Sequence, residues 1–327
     1  MNPNKKITLK TISEETGFSI TTISHVINRT RNVDTKTKMA ILQAVEKLGY
    51  TRKKDSNTWK NNIGLIVADI RVNYFYEIAK QIEETARYND FNVVVCDSEE
   101  NEVTEAKCIE LLLKWNVRGL IIAPANVNAS YPILHDKNIP VVFIDRNVNN
   151  SPFDFVGIDN MKSSYEATQY LIEKGFSSIA FFHYNEVNYT SRERKAGYSV
   201  AMREAGLYDE RLLLEIDYQH KNSIRDIQDF IMEKPELEAA LCLSTNISYE
   251  VLGIRNELQR GGNDLEIVSF DDDKWFEYLK HNVSAIRQPT GDIATVAVDI
   301  IMDKVNQPHK QGIPKAILLE YEFIKRS

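Results

Sequence analysis

Residues 6–28 read K-I-T-L-K-T-I-S-E-E-T-G-F-S-I-T-T-I-S-H-V-I-N, and this stretch decides the fold of the N-terminal region. Thr8 and Ser19 each stand at the start of a short amphipathic segment, and both are predicted to be helix N-caps. Gly17 lies between the segments, where a tight turn requires a residue that accepts a left-handed backbone. Residues 35–48 predict a third helix. The order helix, glycine turn, helix is typical of a helix-turn-helix, whose second helix enters the major groove of DNA.

Charge is distributed unevenly along this chain of 327 residues, whose formal net charge is −7. Residues 1–60 contain twelve Lys or Arg and five Asp or Glu, whereas residues 61–327 contain 28 and 42. A basic segment joined to an acidic body favours a module that binds a polyanion, because the body is repelled by that polyanion. A solvated lysine-rich tail and a three-helix packing module without a ligand are the alternatives.

Short runs rich in Val, Ile and Leu alternate with amphipathic helical segments from residue 63 onward. Such runs are typical of parallel strands covered on both faces, and their alternation with helices predicts a doubly wound α/β architecture. One sheet of about eight strands is compatible with the pattern. Two successive sheets with a cleft between them fit better, because the pattern restarts near residue 179 after a long helix. The predicted strands are 63–68, 91–96, 119–123, 140–144, 179–183, 212–216, 239–243 and 266–270.

The predicted fold class is an all-α helix-turn-helix head plus an α/β core of two doubly wound subdomains. The segment that joins head and core has no core pattern apart from Trp59, so it is predicted to be a linker. The assigned ranges are 1–50 for the head, 51–62 for the linker, 63–327 for the core, about 63–159 plus 289–316 for its N-subdomain, and about 160–288 plus 317–327 for its C-subdomain.

Several classes of protein are not expected from this sequence. No apolar core follows a basic N-terminal start, and no apolar run approaches the ~20 residues that span a bilayer, so we expect neither export nor a membrane span. Cys96, Cys108 and Cys242 are an odd, widely spaced set and are predicted to be reduced thiols of a cytoplasmic protein without a metal site. The chain has no P-loop, no G-x-G-x-x-G and no G-x-S-x-G, so an enzyme or a bound cofactor is not expected.

Residues 19–33, S-I-T-T-I-S-H-V-I-N-R-T-R-N-V, resemble the reading helix of the LacI/GalR family of bacterial regulators and are especially similar to that of the purine repressors. The resemblance covers nearly the whole chain. It implies a homodimer that binds a near-palindromic operator in double-stranded DNA, and a tetramer stays open as an alternative. It also implies a periplasmic-binding-protein-like core that binds a small-molecule effector. The family motifs are L-G-Y (48–50), I-G-L-I-V-A-D-I (63–70), V-R-G-L-I-I-A-P (117–124), I-P-V-V-F-I-D-R (139–146), V-G-I-D-N (156–160), R-E-R-K-A-G-Y (192–198), I-V-S-F-D-D (267–272) and I-R-Q-P (286–289).

The predicted DNA-binding residues lie mainly on the second helix. The resemblance assigns base reading to Ile20, Thr21 and His25, although many relatives carry Arg in place of His25. Thr22 and Ser24 are suited to phosphate contacts, because short hydroxyl side chains donate to anionic oxygens. The full predicted set is Thr8, Ser19, Ile20, Thr21, Thr22, Ser24, His25, Asn28, Arg31, Tyr50 and Trp59.

The linker departs from the family pattern. The resemblance implies a short hinge helix that wedges a Leu into the minor groove, but residues 50–59 read Y-T-R-K-K-D-S-N-T-W, and Trp59 stands in the register of that Leu. Trp59 could stack on DNA as an apolar wedge. The alternative, which we favour slightly, is that Trp59 packs on the surface of the core and never enters the groove.

Polar residues are predicted to surround an effector in the cleft, because doubly wound domains bind ligands at the carboxyl ends of their strands. By resemblance, Arg194 and Asp271 grip ligand hydroxyls, and Tyr74 and Phe75 pack against the ligand. Asn246 replaces the usual Asp of the family. For Asp69 and Asp159 a capping role is as good an interpretation as ligand contact. The full predicted effector set is Asp69, Tyr74, Phe75, Asp145, Asp159, Thr190, Arg194, Asn246 and Asp271.

The sequence therefore predicts a ligand-responsive, sequence-specific DNA-binding regulator, and a repressor of a carbohydrate-related operon is the preferred reading. A sugar is the first choice of effector. Control by a nucleobase, or by a protein corepressor such as the phosphorylated phosphocarrier that binds a related catabolite regulator, stays open. A solute-binding protein and an enzyme are remote alternatives.

Overall fold

The structure is a computed structural model of the chain and describes residues 8–28, 35–48, 61–217, 223–258, 265–279, 282–307 and 313–326. The chain divides into two compact units, residues 1–60 and residues 61–327. We call the first unit the head and the second the core. Within the ranges just given, no helix is long and apolar enough to cross a membrane.

Three helices form the described part of the head: α1 (Leu9–Thr16), α2 (Ile20–Asn28) and α3 (Thr35–Leu48). The Thr8 hydroxyl accepts a hydrogen bond from the Thr11 backbone N–H at the start of α1. Gly17 ends α1 with φ 73°, and its N–H donates to the Ser13 carbonyl over 2.9 Å. The predicted cap and the predicted glycine turn are therefore confirmed. Ile12, Ile23 and Ile41, one from each helix, are fully buried and form the centre of the head's hydrophobic core.

Two six-stranded sheets form the described core. The strands are β1 (Asn62–Val67), β2 (Asn92–Asp97), β3 (Gly119–Ile122), β4 (Val141–Ile144), β5 (Asp154–Gly157), β6 (Ile179–His183), β7 (Leu213–Glu215), β8 (Ala239–Cys242), β9 (Glu266–Phe270), β10 (Val283–Arg287), β11 (Ala316–Leu318) and β12 (Glu322–Ile324). The first sheet has the order β11-β5-β4-β3-β1-β2, and the second has the order β12-β10-β9-β8-β6-β7. Every pairing is parallel except β10 with β12.

The two-sheet alternative is confirmed, and each of the eight predicted runs overlaps a strand. The sequence pattern missed β5, β10, β11 and β12. β5 and β10 follow the preceding strand without a long intervening helix, so no change of periodicity marks their start. β11 and β12 are three residues long and partly exposed, so they are too short for the sequence pattern to predict a strand.

Helices cover both sheets. They are α4 (Asn73–Tyr88), α5 (Glu102–Lys114), α6 (Pro132–Lys137), α7 (Asn160–Glu173), α8 (Tyr189–Glu204), α9 (Ser223–Glu233), α10 (Thr245–Leu258) and α11 (Thr290–Asn306), with short 3-10 turns at Glu210–Leu212 and Lys274–Tyr278. Apolar residues of α4 and α11 pack on one face of the first sheet, and those of α5 and α6 pack on the other. Because α11 packs on the first sheet while β10 and β12 belong to the second, the chain crosses between the sheets more than once. The predicted boundary of the N-subdomain is residue 316, but the last crossing between the sheets follows Leu318, because β11 pairs with β5 up to Leu318.

Candidate functional site

The outer face of α2 is open to solvent in the described head. Ile20 is 47% exposed although it is a large apolar residue, and Thr21 is also exposed. His25 is half-buried, while Ile23 and Val26 point into the head's core. An exposed Ile beside polar side chains is suited to contact with a thymine methyl group and base edges. This is where the structure places the three residues predicted to read bases.

Two residues predicted to contact DNA also start helices. Besides the cap that Thr8 provides, the Ser19 hydroxyl accepts from the Thr22 N–H over 3.0 Å, and its oxygen lies 2.8 Å from the Thr22 hydroxyl oxygen. Ser24 is half-buried on α2, and Asn28 ends that helix. Arg31, Tyr50 and Trp59, together with the side chain of Asn28, lie outside the described residues.

A small cavity lies in the core at the carboxyl ends of strands from both sheets. Six of the nine residues predicted to bind an effector line it: Tyr74, Phe75, Asp145, Thr190, Arg194 and Asp271. The other lining residues are Val72, Glu100, Arg146, Tyr184, Asn188, Leu243, Ser244 and Gln288. The lining thus combines aromatic, acidic and basic side chains in one concave site, as small-molecule sites do.

The remaining three predicted residues lie outside this lining. The Asp69 carboxylate pairs with Arg71, whose Nη2 is 2.7 Å from Oδ2. Asp159 is the N-cap of α7 and accepts from the Lys162 N–H over 2.9 Å. Asn246 is half-buried in the first turn of α10. Asp69 and Asp159 thus have the local roles that short acidic side chains commonly take next to strand ends and helix starts.

Arg194 is the central cation of the cavity. It is 3% exposed and is carried by α8, a helix whose N-cap is Asn188. Its Nε donates to Asn160 Oδ1 and its Nη1 to the Leu243 carbonyl, both over 2.8 Å. The guanidinium carbon lies 3.8 Å from the centre of the Phe270 ring. Burial lowers the pKa of Arg194, yet such a group stays charged at neutral pH.

Two carboxylates face the same space. Burial raises the pKa of Asp145 to about 6, although Arg146 and Arg194 act in the opposite direction. Burial also raises the pKa of Asp271, whose Oδ1 accepts from Gln288 Nε2 over 2.7 Å. Burial of an ionised carboxylate costs free energy unless hydrogen bonds or opposite charges compensate it, so these two side chains require hydrogen-bond donors.

Tyr74 contributes a hydroxyl that lacks a partner. The residue is 4% exposed, and its hydroxyl oxygen makes no hydrogen bond with any described residue. Burial raises its pKa well above the ordinary range, and the charges of Asp145 and Asp271 act in the same direction. Buried polar groups in proteins almost always have a partner, so an orphan of this kind at a cavity wall indicates a ligand or water position.

Sequence reasoning missed an ion pair in the cavity wall. Arg146 Nη1 and Nη2 lie 2.5 and 2.6 Å from the two carboxylate oxygens of Glu100. The I-P-V-V-F-I-D-R motif ends on Arg146, but only its Asp was singled out, and Glu100 belongs to no motif. The position of Glu100 three residues after the end of β2, in the loop at the carboxyl end of that strand, was the signal that could have found it.

Comparison with known proteins gives two matches along the chain. Residues 8–53 match the bacterial regulatory proteins of the lacI family, and residues 60–291 match the periplasmic binding proteins and sugar binding domain of the LacI family. The chain belongs to the LacI family. It is a DNA-binding transcription regulator with an effector-binding core, and its fold has the two-part organisation of that family.

LacI-family relatives match over nearly the full length. The HTH-type transcriptional regulator RegA of Clostridium saccharobutylicum is 27% identical over 97% of this chain and 98% of its own. The HTH-type transcriptional repressor PurR of Actinobacillus pleuropneumoniae serotype 3 is 26% identical over 98% and 97%. A solved structure of the Cra transcriptional dual regulator from Pseudomonas putida, in complex with fructose 1-phosphate, has a TM-score of 0.76 at 22% identity and covers 82% of this chain and 99% of its own. That last likeness concerns the fold.

Proposed function

We propose that this LacI-family protein is a cytoplasmic repressor that binds a near-palindromic operator as a homodimer and responds to a small polyhydroxylated metabolite, preferably a sugar, in the core cavity. The head would insert the outer face of α2 into the major groove of each half-site. A ligand that binds one relative arrangement of the two sheets better than another would change the affinity for operator DNA.

The observation that carries the proposal is the set of hydrogen-bonding positions in the cavity that no described residue fills. The Tyr74 hydroxyl makes no hydrogen bond with a described residue, and none accepts from Arg194 Nη2. The Asp145 carboxylate has a charged neighbour in Arg146, whose Nε lies 3.3 Å away, but accepts no hydrogen bond from a described residue. The cavity therefore offers both hydrogen-bond donors and hydrogen-bond acceptors to a ligand. A sugar hydroxyl donates and accepts at once, so a polyhydroxylated ring satisfies both kinds of group. The family match to a sugar binding domain supports the same class.

A nucleobase is the second candidate, favoured by the likeness to PurR and by the aromatic ring of Phe75 at the cavity wall. A nucleobase needs only a few polar contacts at its edges, whereas the cavity presents three carboxylates, two guanidinium groups and a tyrosine hydroxyl that makes no hydrogen bond with a described residue. We rank it second for that reason.

The test is a thermal-shift screen of the full-length protein with sugars, sugar phosphates and purines. It is followed by operator binding with double-stranded DNA that the protein selects from random sequence. We expect a sugar to raise the melting temperature and to change the affinity for the selected DNA, since ligands that bind the folded state stabilise it. Arg194→Ala should abolish both effects.

The matched control is Arg203→Ala, on the same helix, because Arg203 packs on the Tyr208 ring away from the cavity lining. Its ligand response should equal that of the wild type. A response to purines and to no sugar would replace the sugar with a nucleobase. A ligand response that survives Arg194→Ala would place the effector outside this cavity and contradict the proposal.

A further inference from the structure

Glu100 reaches the cavity from an unusual backbone. It lies in the loop between β2 and α5, and both Glu99 and Glu100 have left-handed φ angles, 53° and 54°. The Glu100 N–H donates to the Ala68 carbonyl over 2.8 Å, which ties the loop to the end of the β1 strand. Left-handed backbone is costly for residues other than Gly, Asn and Asp, and it persists where surrounding contacts hold it. The contact that Glu100 makes here is the pair with Arg146.

The ion pair with Glu100 neutralises the positive charge of Arg146. The side chains are 13% and 6% exposed, and the two guanidinium nitrogens meet the two carboxylate oxygens in the parallel, bidentate arrangement. Arg146 Nη1 also lies 3.4 Å from the Pro124 carbonyl, and Nε lies 3.3 Å from Asp145 Oδ2. Nε makes no hydrogen bond with a described residue. The two terminal nitrogens are held by the chain's own acceptors, so little of the positive charge of Arg146 is left for a ligand.

The charged side chains that line the cavity then decide what it accepts. They are the carboxylates Glu100, Asp145 and Asp271 and the guanidinium groups Arg146 and Arg194, so the fully ionised wall has one negative charge in excess. Glu100 and Arg146 cancel each other, which leaves Arg194 alone against two carboxylates. A ligand phosphate or carboxylate would have to enter beside these two carboxylates, and like charges repel strongly in a desolvated site.

We infer that Glu100 determines the charge of the effector: it neutralises Arg146, so that the cavity takes an uncharged or cationic polyhydroxylated compound, such as a sugar or amino sugar, and rejects phosphorylated or carboxylated ones. This inference rests on the proposed function and specifies the ligand class of the same cavity. Because the Cra structure of the same fold holds fructose 1-phosphate, the exclusion of anions is a property of these side chains and not of the fold.

Replacement of the carboxylate by its neutral isostere should reverse the selection. In Glu100→Gln the guanidinium of Arg146 loses its ionised partner and becomes available to an anion, because Arg is suited to bidentate binding of phosphate. The probe is inorganic phosphate, measured by calorimetry and thermal shift at neutral pH and low salt on the full-length protein. We expect no detectable phosphate binding by the wild type. For Glu100→Gln we expect a phosphate Kd at least about tenfold lower than the highest Kd that the measurement can detect.

Two further variants isolate the cause. Glu99→Gln removes a neighbouring charge from the same left-handed turn without touching Arg146, and should behave like the wild type. Glu100→Gln combined with Arg146→Gln removes the freed guanidinium and should lose the phosphate binding again. Fructose and fructose 1-phosphate, offered as a matched pair, should show the same reversal where the ring itself fits.

The outcomes separate cleanly. Phosphate binding by the wild type that disappears in Arg194→Ala overturns the inference, as does a folded Glu100→Gln protein that gains no phosphate binding. Should Glu100→Gln fail to fold, the wild-type phosphate titration decides alone. The phosphate experiment needs no sugar, so a sugar screen without any Arg194-dependent response would contradict the proposed function and leave this result standing as a separate finding.

Discussion

Asp145 and Asp271 occupy equivalent positions in the two sheets of the core. Each directly follows the third strand in the order of its sheet, β4 or β9, and each has a left-handed backbone, with φ 62° for Asp145 and 66° for Asp271. Each N–H donates to the neighbouring strand, to Val156 in one sheet and to Ile286 in the other. The two carboxylates thus enter one cavity from opposite subdomains by the same turn, on a backbone that Asp tolerates better than most residues.

Asp145 makes the stability of the unliganded protein depend on pH. Its pKa is raised from an ordinary value near 3.8 to about 6, mainly by burial, so its protonated form favours folding. That contribution is complete below about pH 4 and is lost as the pH rises through about 6. We expect Asp145→Asn to raise the free energy of unfolding at pH 7 by about 1–3 kcal/mol, and at pH 4.5 by only about a third of that amount.

Urea unfolding of the wild type and of Asp145→Asn at pH 4.5, 6 and 7 measures this dependence. Asp136→Asn is the control, since Asp136 is an exposed residue of α6 outside the cavity lining. A difference between wild type and Asp145→Asn that is constant over this pH range would show that Asp145 does not titrate as stated.

A residue of α2 that reads bases and the residue that caps this helix should have different effects in a selection of DNA sequences. We expect His25→Ala to relax the preference at one base pair of each half-site, because a side chain that reads a base edge affects that position alone. Ser19→Ala removes the hydroxyl that accepts from the Thr22 N–H. It should lower the stability of α2 by about 0.5–2 kcal/mol through loss of the helix cap, and should weaken binding on all sequences alike.

Selection of random double-stranded DNA by each variant, followed by sequencing, gives the base preference at every position. An unchanged preference for His25→Ala at all half-site positions would remove His25 from base reading. A changed preference for Ser19→Ala would mean that Ser19 does more than cap the helix.

Gly197 marks the closest approach of α7 and α8. A Cβ atom at this position would lie 2.1 Å from the Met161 carbonyl oxygen and 2.9 Å from the Tyr165 nitrogen, and both are backbone atoms that cannot swing aside. We expect Gly197→Ala to reduce the free energy of unfolding by at least about 2 kcal/mol, because the two helices must separate. Chemical denaturation measures the loss.

Gly253 is the matched control for this substitution. It lies on the exposed side of α10, where an added Cβ would meet nothing within 4 Å. Gly253→Ala should stabilise the protein by about 0.5–1 kcal/mol, because Ala restricts the unfolded chain and favours the helix. Equal effects of the two substitutions would argue against the tight contact between α7 and α8.

Asp272 connects the C-terminal strand region to β10 through ion pairs with two arginines. Its carboxylate is 3% exposed and lies 2.6 Å from Arg287 Nη2 and 2.8 Å from Arg326 Nη1. Asp272→Asn should destabilise the core by about 1–3 kcal/mol, because two guanidinium groups lose their common partner. Hydrogen exchange should show the loss first at β12, which pairs with β10 at the edge of its sheet.

Glu322→Gln tests the same region without the buried carboxylate. Glu322 also pairs with Arg287, but its side chain is 68% exposed, so the loss should stay under about 1 kcal/mol. A larger effect for Glu322→Gln than for Asp272→Asn would contradict the role given to Asp272.

Local patterns made the head and most of the core predictable. Thr8, Gly17 and the apolar spacing of α1 and α2 act within a few residues of each other, so their consequences can be derived without knowledge of distant parts of the chain. The eight strands whose apolar runs alternate with helices were found for the same reason. The position of Asp145 and Asp271 directly after such strands was sufficient to place them at the rim of a cleft.

The tertiary structure alone decided which polar groups have partners. Asp69 and Asp271 both follow strands, but Asp69 pairs with Arg71 while Asp271 faces the cavity. Glu100 and Arg146 are 46 residues apart and meet because β2 and β4 end at the same edge of one sheet. The sequence by itself determined the family fold, the reading helix and the strand ends that surround the cavity. The pairing of charges across that cavity depends on distances between atoms far apart in the chain, and these exist only once the sheets have formed.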